Sequence, residues 1–289
     1  MITARTHEKS ASNRENGRGT NVTPSFEMKA LDFSIFSDAG RVRQNNEDRA
    51  AAAPEINLFV LCDGMGGLEA GERASQIAVE TVIRQCREAA AKSAPSAEAL
   101  STAIELANEK IFRAAQESGS KSGMGSTIVA VQFHGERAII AHVGDSRVYR
   151  LRHNEFSQIT EDHSFVAEQV RRGVISVDEA SRSQLQNVLI RALGVETSVK
   201  VASIEELLLD GDTFLLCSDG LTRELSDSQI SVVLDEADHA NEAAARLVRL
   251  ANEAGGEDNV TVVVVRNSKK AGGVRAKIGR WFKNSEDGI

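Results

Sequence analysis

The sequence has no apolar run that approaches the length of about 18 residues needed to cross a bilayer. Residues 1–27 are polar and mixed in charge, and they lack the apolar segment of a signal peptide. Cysteine is scarce, because Cys62, Cys86 and Cys217 are an odd number at spacings that fit no zinc or disulfide framework. Together these absences predict a cytoplasmic protein.

Aromatic residues are also scarce, at 4% of the chain, so we expect a core built mainly from Val, Ile, Leu and Ala. The hydrophobic fraction of 41% and the charged fraction of 26% are ordinary for a globular protein. A length of 289 residues allows one or two domains with a large buried core.

The net charge of −8 is unevenly distributed along the chain. Lys and Arg outnumber acids by five to three in residues 1–30 and by seven to two in residues 266–289, which leaves −15 on residues 31–265. An acidic body with basic ends argues against nucleic-acid binding by the body. Part of the negative charge is a candidate cation site.

The period of the apolar residues changes along the chain. Helical spacing from Ala70 to Arg87 and from Ser96 to Ser118 predicts two helices, and alternation predicts strands over Ser126–Phe133 and Arg137–Val143. Further strands are predicted over 31–37, 58–62, 148–151, 213–218 and 260–265, with helices over 164–170, 177–186, 227–234 and 240–254. This order predicts an α+β fold with antiparallel sheets.

Four aspartates lie next to predicted strands. Asp63 and Asp219 each follow a buried run and precede glycine, Asp258 precedes the last strand, and Asp145 follows a strand and a glycine. A single Asp-Gly pair is most simply a turn, but strand ends that lie side by side would gather four carboxylates. Clustered carboxylates repel one another unless cations separate them, and oxygen ligands favour Mg²⁺ or Mn²⁺ over Zn²⁺.

The order of the motifs resembles the metal-dependent protein phosphatases of the PP2C (PPM) family, in particular its bacterial Ser/Thr phosphatase branch. The resemblance covers roughly residues 32–266. It is carried by Arg43-x-x-Asn46-Glu47-Asp48, Asp63-Gly-Met-Gly-Gly67, Gly125-Ser-Thr127, Val143-Gly-Asp-Ser-Arg147, Asp162-His-Ser164, Arg191-Ala-Leu-Gly194, Cys217-Ser-Asp-Gly-Leu221 and Asp258-Asn259. It implies an α-β-β-α sandwich, with the phosphatase domain over 31–266 and a flap at about 165–190. Residues 1–30 lie outside the resemblance, and their polar, aperiodic composition predicts a disordered leader.

The resemblance also implies roles for individual residues. Two Mn²⁺ or Mg²⁺ ions would share Asp63, with the Gly64 carbonyl on one ion and Asp219 and Asp258 on the other. Glu47 and Asp48 would act through water, and Asp145 with Asp219 would hold a weaker third ion. Arg43 would bind the substrate phosphate, so that Asp63, Asp219 and Arg43 form the catalytic set.

The implied chemistry is attack of a metal-activated water on phosphoserine or phosphothreonine in proteins, opposing a Ser/Thr kinase. Met65 stands where many eukaryotic members carry a histidine thought to act as general acid. His163 is an alternative acid, although a structural role at the base of the flap is the simpler interpretation. Ser183-Gln184 replaces the His-Pro pair frequent in bacterial flaps, which puts flap-dependent substrate choice in doubt.

Two alternatives to a protein phosphatase remain: a catalytically silent phosphoprotein-binding module on the same fold, and an enzyme for small phosphoesters or a phosphorylated anti-sigma antagonist. We expect a monomer. The basic tail over 267–289 is a solubilising disordered segment, a partner-docking helix or a membrane contact. Its apolar residues fall at helical spacing, at Val274, Ile278, Trp281 and Phe282.

Overall fold

The computed structural model of the chain describes residues 31–66, 69–118 and 123–267. The predictions for the leader and for the amphipathic tail fall outside these residues. Asn267, the last described residue, is buried and bonds through its backbone to Asp212 and Gly211. In the described ranges, no helix combines the length and the apolar character that a membrane crossing needs.

In the described residues, twelve strands form two five-stranded sheets and a small two-stranded ribbon, and all neighbouring strands are antiparallel. The strands are β1 (Asp32–Asp38), β2 (Arg49–Ala53), β3 (Leu58–Cys62), β4 (Gly64–Met65), β5 (Gly125–Ser126), β6 (Ile128–His134), β7 (Arg137–Val143), β8 (Arg147–Arg152), β9 (Glu155–Gln158), β10 (Ala202–Leu207), β11 (Thr213–Cys217) and β12 (Val260–Arg266). One sheet has the order β1-β12-β11-β8-β9, the other β10-β7-β6-β3-β2, and β4 pairs with β5.

The helices of the described residues are α1 (Glu69–Ala90), α2 (Ala97–Ser118), α3 (Phe165–Arg171), α4 (Val177–Ser181), α5 (Asp219–Thr222), α6 (Asp227–Glu236) and α7 (Ala240–Ala254). The long pair α1 and α2 packs on the β3–β6–β7 sheet through an apolar stripe that includes Ala78, Val82 and Ile104. Helices α6 and α7 pack on the β8–β11–β12 sheet. The sheets face each other across a third apolar layer, which confirms the predicted α-β-β-α sandwich.

The layer between the sheets contains four of the ten phenylalanines of the chain. Phe33, Phe59, Phe133 and Phe214 stack edge to face in a row, with ring centroids 5.1, 5.9 and 5.2 Å apart. Val, Ile, Leu and Ala make up most of the rest of the core, as the composition predicts.

The predicted helix over 177–186 is wrong in its length. Helix α4 ends at Ser181, and the Ser183–Gln186 stretch forms turns instead. Ser176 and Glu179 build a capping box at its start, whereas the polar residues after Ser181 contribute no apolar face that would hold a longer helix against the body.

Candidate active site

The four predicted aspartates meet at one end of the sandwich. Strands β3, β7 and β11 end there, and strand β12 begins there. The aspartates next to these strand ends therefore line one cavity of about 380 Å³: Asp63, Asp145, Asp219 and Asp258. Glu47, Gly64 and Arg43 also line this cavity. The structure therefore brings together every predicted site residue except Asp48, which lies just behind the wall.

The backbone of Asp63 is fixed by the strand beside it. Its N–H donates to Thr127 Oγ1 at 3.0 Å, and its carbonyl accepts from Thr127 N at 2.8 Å and from Ser126 Oγ at 2.9 Å. Thr127 Oγ1 lies 2.7 Å from Ser146 Oγ, which ties the Gly144–Asp145 turn to the same point. Hydrogen bonds of Thr127 therefore position both Asp63 and the turn that carries Asp145.

Gly64 lets helix α1 approach the strand end. A Cβ at this position would lie 2.1 Å from the Gly71 carbonyl oxygen and 2.6 Å from that of Glu47. The N–H of Gly64 donates to the Glu47 carbonyl at 3.2 Å. The glycine therefore serves close packing around the cavity and not simply a turn, as the Asp-Gly pair alone would suggest.

Asn259 organises the loop that carries Arg43 and Glu47. Its Oδ1 accepts from Glu47 N at 2.8 Å, and its Nδ2 donates to the carbonyls of Ala39 and Asn45 at 3.0 and 2.9 Å. Sequence reasoning quoted Asn259 within a motif but gave it no role. A buried amide that satisfies three backbone groups of one loop is recognisable only from the tertiary structure.

Two arginines contact the acids of the cavity. Arg43 Nη2 donates to Asp258 Oδ2 at 2.9 Å, and Arg223 Nη1 donates to the same oxygen at 3.1 Å. The other terminal nitrogen of Arg223 contacts Asp219. Arg43 was predicted at this site, but Arg223 was not, because an Asp and an Arg four residues apart on a helix usually form a solvated pair.

Burial and mutual repulsion raise the pKa values of Asp63, Asp145, Asp219 and Glu47. Burial is the largest cause for each, and it raises the pKa of Asp145 to about 7 and that of Asp63 well above its usual range. Neighbouring carboxylates, Asp48 and Asp219 first for Asp63, add to the effect. The pKa values of Asp219 and Glu47 are also raised. The positively charged side chains around these acids therefore do not offset the repulsion between their carboxylates.

Asp48 supports the cavity from behind. It is 1% exposed, its Oδ2 accepts from Ser218 Oγ at 2.7 Å, and its Oδ1 has no hydrogen-bond partner within the described part of the chain. Burial raises its pKa to about 7. A buried carboxylate oxygen without a donor carries an electrostatic cost that a nearby cation or water would relieve.

The residues fit divalent cations. Six carboxylates, including Asp48, are close to two guanidinium groups. When all six are ionised, the excess of four negative charges is what two divalent cations would balance. All the donors are oxygens, the ligands of Mg²⁺ and Mn²⁺. In the ranges that the structure covers, no three Asp, Glu, His or Cys side chains already converge on one cation position.

His163 lies at the base of the flap. Its Nδ1 accepts from Gly144 N at 3.1 Å, its Nε2 lies 2.9 Å from Arg191 Nη1, and its ring stacks on His142 at 4.6 Å. Burial lowers the pKa of His163 to about 3 and that of His142 to about 4. A neutral, enclosed ring off the cavity wall supports the structural interpretation and not a general acid.

A second cavity of about 660 Å³ lies beside the first, between the body and helices α3 and α4. The two cavities share Asp145, Asn187, Asp219 and Arg223. The predicted flap therefore borders the acidic cluster directly.

Comparison with known proteins agrees with this geometry. A family profile described as protein phosphatase 2C matches residues 39–260. A Listeria welshimeri protein named serine/threonine phosphatase stp is 38% identical over 239 residues, which cover 80% of this chain and 94% of that one.

Two solved structures of phosphatases named PstP are also similar, the first of them from Mycobacterium tuberculosis. One, described as PstP/Ppp, has 37% identity and a TM-score of 0.76, and the match covers 83% of this chain and 99% of that one. The other, the PstP catalytic domain in complex with two manganese ions, has 38% identity and a TM-score of 0.73 and covers 82% and 97%.

Proposed function

The chain belongs to the protein phosphatase 2C family, and we propose that the acids of its cavity hold the divalent cations used to remove phosphate from proteins. The activity is that of a metal-dependent serine/threonine protein phosphatase, the activity for which its relatives at 38% identity are named. The observation that carries the site assignment is the excess of carboxylate over guanidinium around a single cavity.

The ligands in this proposal are those that the resemblance to the family implies, and the cavity brings all of them together except Asp48. Asp63, the Gly64 carbonyl, Asp219 and Asp258 would hold two Mn²⁺ or Mg²⁺ ions, with Asp63 shared between them. Glu47 and Asp48 act through water, and Asp145 with Asp219 provides a weaker third position. When bound, such ions supply an activated water and neutralise charge on the phosphoryl group.

Arg43 is the proposed phosphate-binding residue. Its guanidinium lines the cavity, and its side chain is 54% exposed, so it can turn from Asp258 to a phosphoryl oxygen. No cysteine competes for the role of nucleophile. Burial raises the pKa of Cys62 well above its usual range and that of Cys217 to about 12, so both remain thiols within their strands.

The proposed substrates are proteins that a Ser/Thr kinase phosphorylates in the same cytoplasm. The proposed oligomeric state is a monomer. The presence of all the strand-end acids argues against the catalytically silent alternative. Activity profiling on phosphoproteins, small phosphoesters and a phosphorylated anti-sigma antagonist separates the remaining substrate classes.

Asp63→Asn tests the assignment, with Asp235→Asn on the exposed face of α6 as the matched control. We expect Asp63→Asn to abolish hydrolysis of p-nitrophenyl phosphate with an unchanged circular dichroism spectrum, while the control stays active. EDTA should stop the wild-type activity and Mn²⁺ should restore it. EDTA-resistant activity, or an active Asp63→Asn variant, would count against the metal assignment.

A further inference from the structure

Arg223 occupies an unusual place beside the proposed metal ligands. It follows the one-turn helix α5, and its backbone N–H donates to the Asp219 carbonyl at 2.9 Å. This helical spacing directs its side chain to the face that carries Asp219. From there the guanidinium also reaches Asp258, with Nη1 3.1 Å from Oδ2. One side chain thus bridges two acids from different elements.

The oxygens of Asp258 are both engaged. Its Oδ2 accepts from Arg223 and, at 2.9 Å, from Arg43 Nη2, and its Oδ1 accepts from Asn259 N at 2.9 Å. Asp219 has its Oδ2 on Arg223. A cation that bound the Oδ2 atoms of these two carboxylates would therefore compete with the Arg223 guanidinium for them.

We propose that Arg223 is a built-in competitor for the divalent cation at Asp219 and Asp258 and so sets how tightly this chain binds metal. The inference rests on the proposed function, because it takes these two acids to be cation ligands. Arg223 holds the acids in the metal-free protein and gives them up when a cation arrives.

Arg223 suits this role better than Arg43 does. Arg43 lies in the 39–46 loop, is 54% exposed and contacts one of the acids, whereas Arg223 is 32% exposed and contacts both. Arg223 also lines the second cavity, which offers room for the displaced side chain. Its positive charge then stays nearby without blocking the carboxylate oxygens.

A comparison of two substitutions separates direct competition from a general effect of charge. Arg223→Gln removes the charge and the two-pronged contact, whereas Arg223→Lys keeps the charge but cannot bridge two carboxylates as a planar fork does. We expect the Mn²⁺ dissociation constant to fall about tenfold in Arg223→Gln. Arg223→Lys should fall between Arg223→Gln and the wild type. The control is Arg249→Gln, which removes an exposed arginine 2.8 Å from Glu253 on α7.

The readout is the concentration of free Mn²⁺, followed by its paramagnetic resonance signal during titration of metal-free protein. If Arg223→Lys bound Mn²⁺ with the wild-type affinity, the positive charge alone would account for the effect of Arg223 on metal binding. That result would overturn the proposal that the guanidinium competes directly for the two carboxylates. A glutamine variant that binds Mn²⁺ no more tightly would overturn it as well. Arg249→Gln should match the wild type.

Thermal melting provides a second readout. In EDTA, Arg223→Gln should melt at a lower temperature than the wild type, because Asp219 and Asp258 then lose the guanidinium group that they share. Saturating Mn²⁺ should close or reverse that gap, while any difference caused by Arg249→Gln should be the same in both buffers. A gap for Arg223→Gln that Mn²⁺ leaves unchanged would contradict the proposal.

Failure of the proposed function has a different signature. If the cavity were not a metal site, the wild type and all variants would bind no Mn²⁺, and phosphatase activity would survive EDTA. If only the competition were wrong, Mn²⁺ would bind and support activity, with affinities that do not depend on the residue at position 223.

Discussion

Replacing Asn259 by alanine removes the amide that holds the loop of Arg43 and Glu47 against strand β12. Asn259 is 7% exposed and makes three hydrogen bonds of 2.8 to 3.0 Å to that loop. At roughly 1 kcal/mol for each lost bond, the free energy of unfolding should fall by about 2–4 kcal/mol, since water can reach some of the freed groups.

The same substitution should also lower activity. Glu47 N loses its acceptor, and Arg43 loses the fixed loop from which it reaches the cavity, so we expect kcat/KM for p-nitrophenyl phosphate to fall at least about tenfold. Unfolding in urea, followed by far-ultraviolet circular dichroism, measures stability. Initial rates at saturating Mn²⁺ and low denaturant measure activity of the folded protein.

Asn108→Ala is the matched control. Asn108 is equally buried and donates to the Glu196 carbonyl at 3.1 Å while accepting from Gly194 N at 2.8 Å, but it does not line the cavity. It should lose comparable stability and keep its kcat/KM. A stability loss below about 0.5 kcal/mol for Asn259→Ala, or equal loss of activity in both variants, would refute the reasoning.

Two further predictions concern packing and pH. Gly64→Ala should abolish activity and lower the melting temperature, because its Cβ would lie 2.1 Å from the Gly71 carbonyl oxygen; a fully active, equally stable variant would contradict this. Burial lowers the pKa of His142 from 6.5 to about 4, so its neutral form stabilises the fold above pH 6.5 and this contribution is lost as the pH falls toward 4. Between pH 7 and pH 5, the free energy of unfolding should therefore fall by about 2 kcal/mol more in the wild type than in His142→Phe. If the difference in this free energy between the two proteins did not vary with pH, the lowered pKa of His142 would be refuted.

The sequence was sufficient for the strand-end acids because each stands close to a run that is mostly apolar. Asp63 follows five buried residues, and Asp258 precedes a strand of six buried residues and an arginine. Short runs of this length that are rich in β-branched and large apolar residues are typical of central strands, and central antiparallel strands place their ends at the rims of the sheets. The long helices were predicted for a similar reason, since their apolar stripes have an unambiguous period.

Elements stabilised mainly by their neighbours were missed. Strand β2 is Arg-Ala-Ala-Ala-Ala, a composition that favours helix, and it is extended because it pairs with β3. Strand β10 carries two glutamates and lies at the edge of its sheet, paired with β7. Neither has a local signal strong enough to be recognised without its partner strand.

The contacts of Arg223 and Asn259 could not be predicted from the sequence for the same physical reason. Each joins segments that are far apart in the chain, Arg223 to Asp258 and Asn259 to the loop near Asn45. Sequence patterns report which residues reach the rim of a sheet. They do not report which side chain from another element will meet them there.

Diffraction from crystals grown with Mn²⁺, with data collected at the manganese absorption edge, tests the central claim most directly. We expect two anomalous peaks in the cavity, with the Asp63 carboxylate shared between them and Asp219 and Asp258 on one of them. Peaks absent from the cavity at saturating Mn²⁺, or present only on the surface of the protein, would contradict the account.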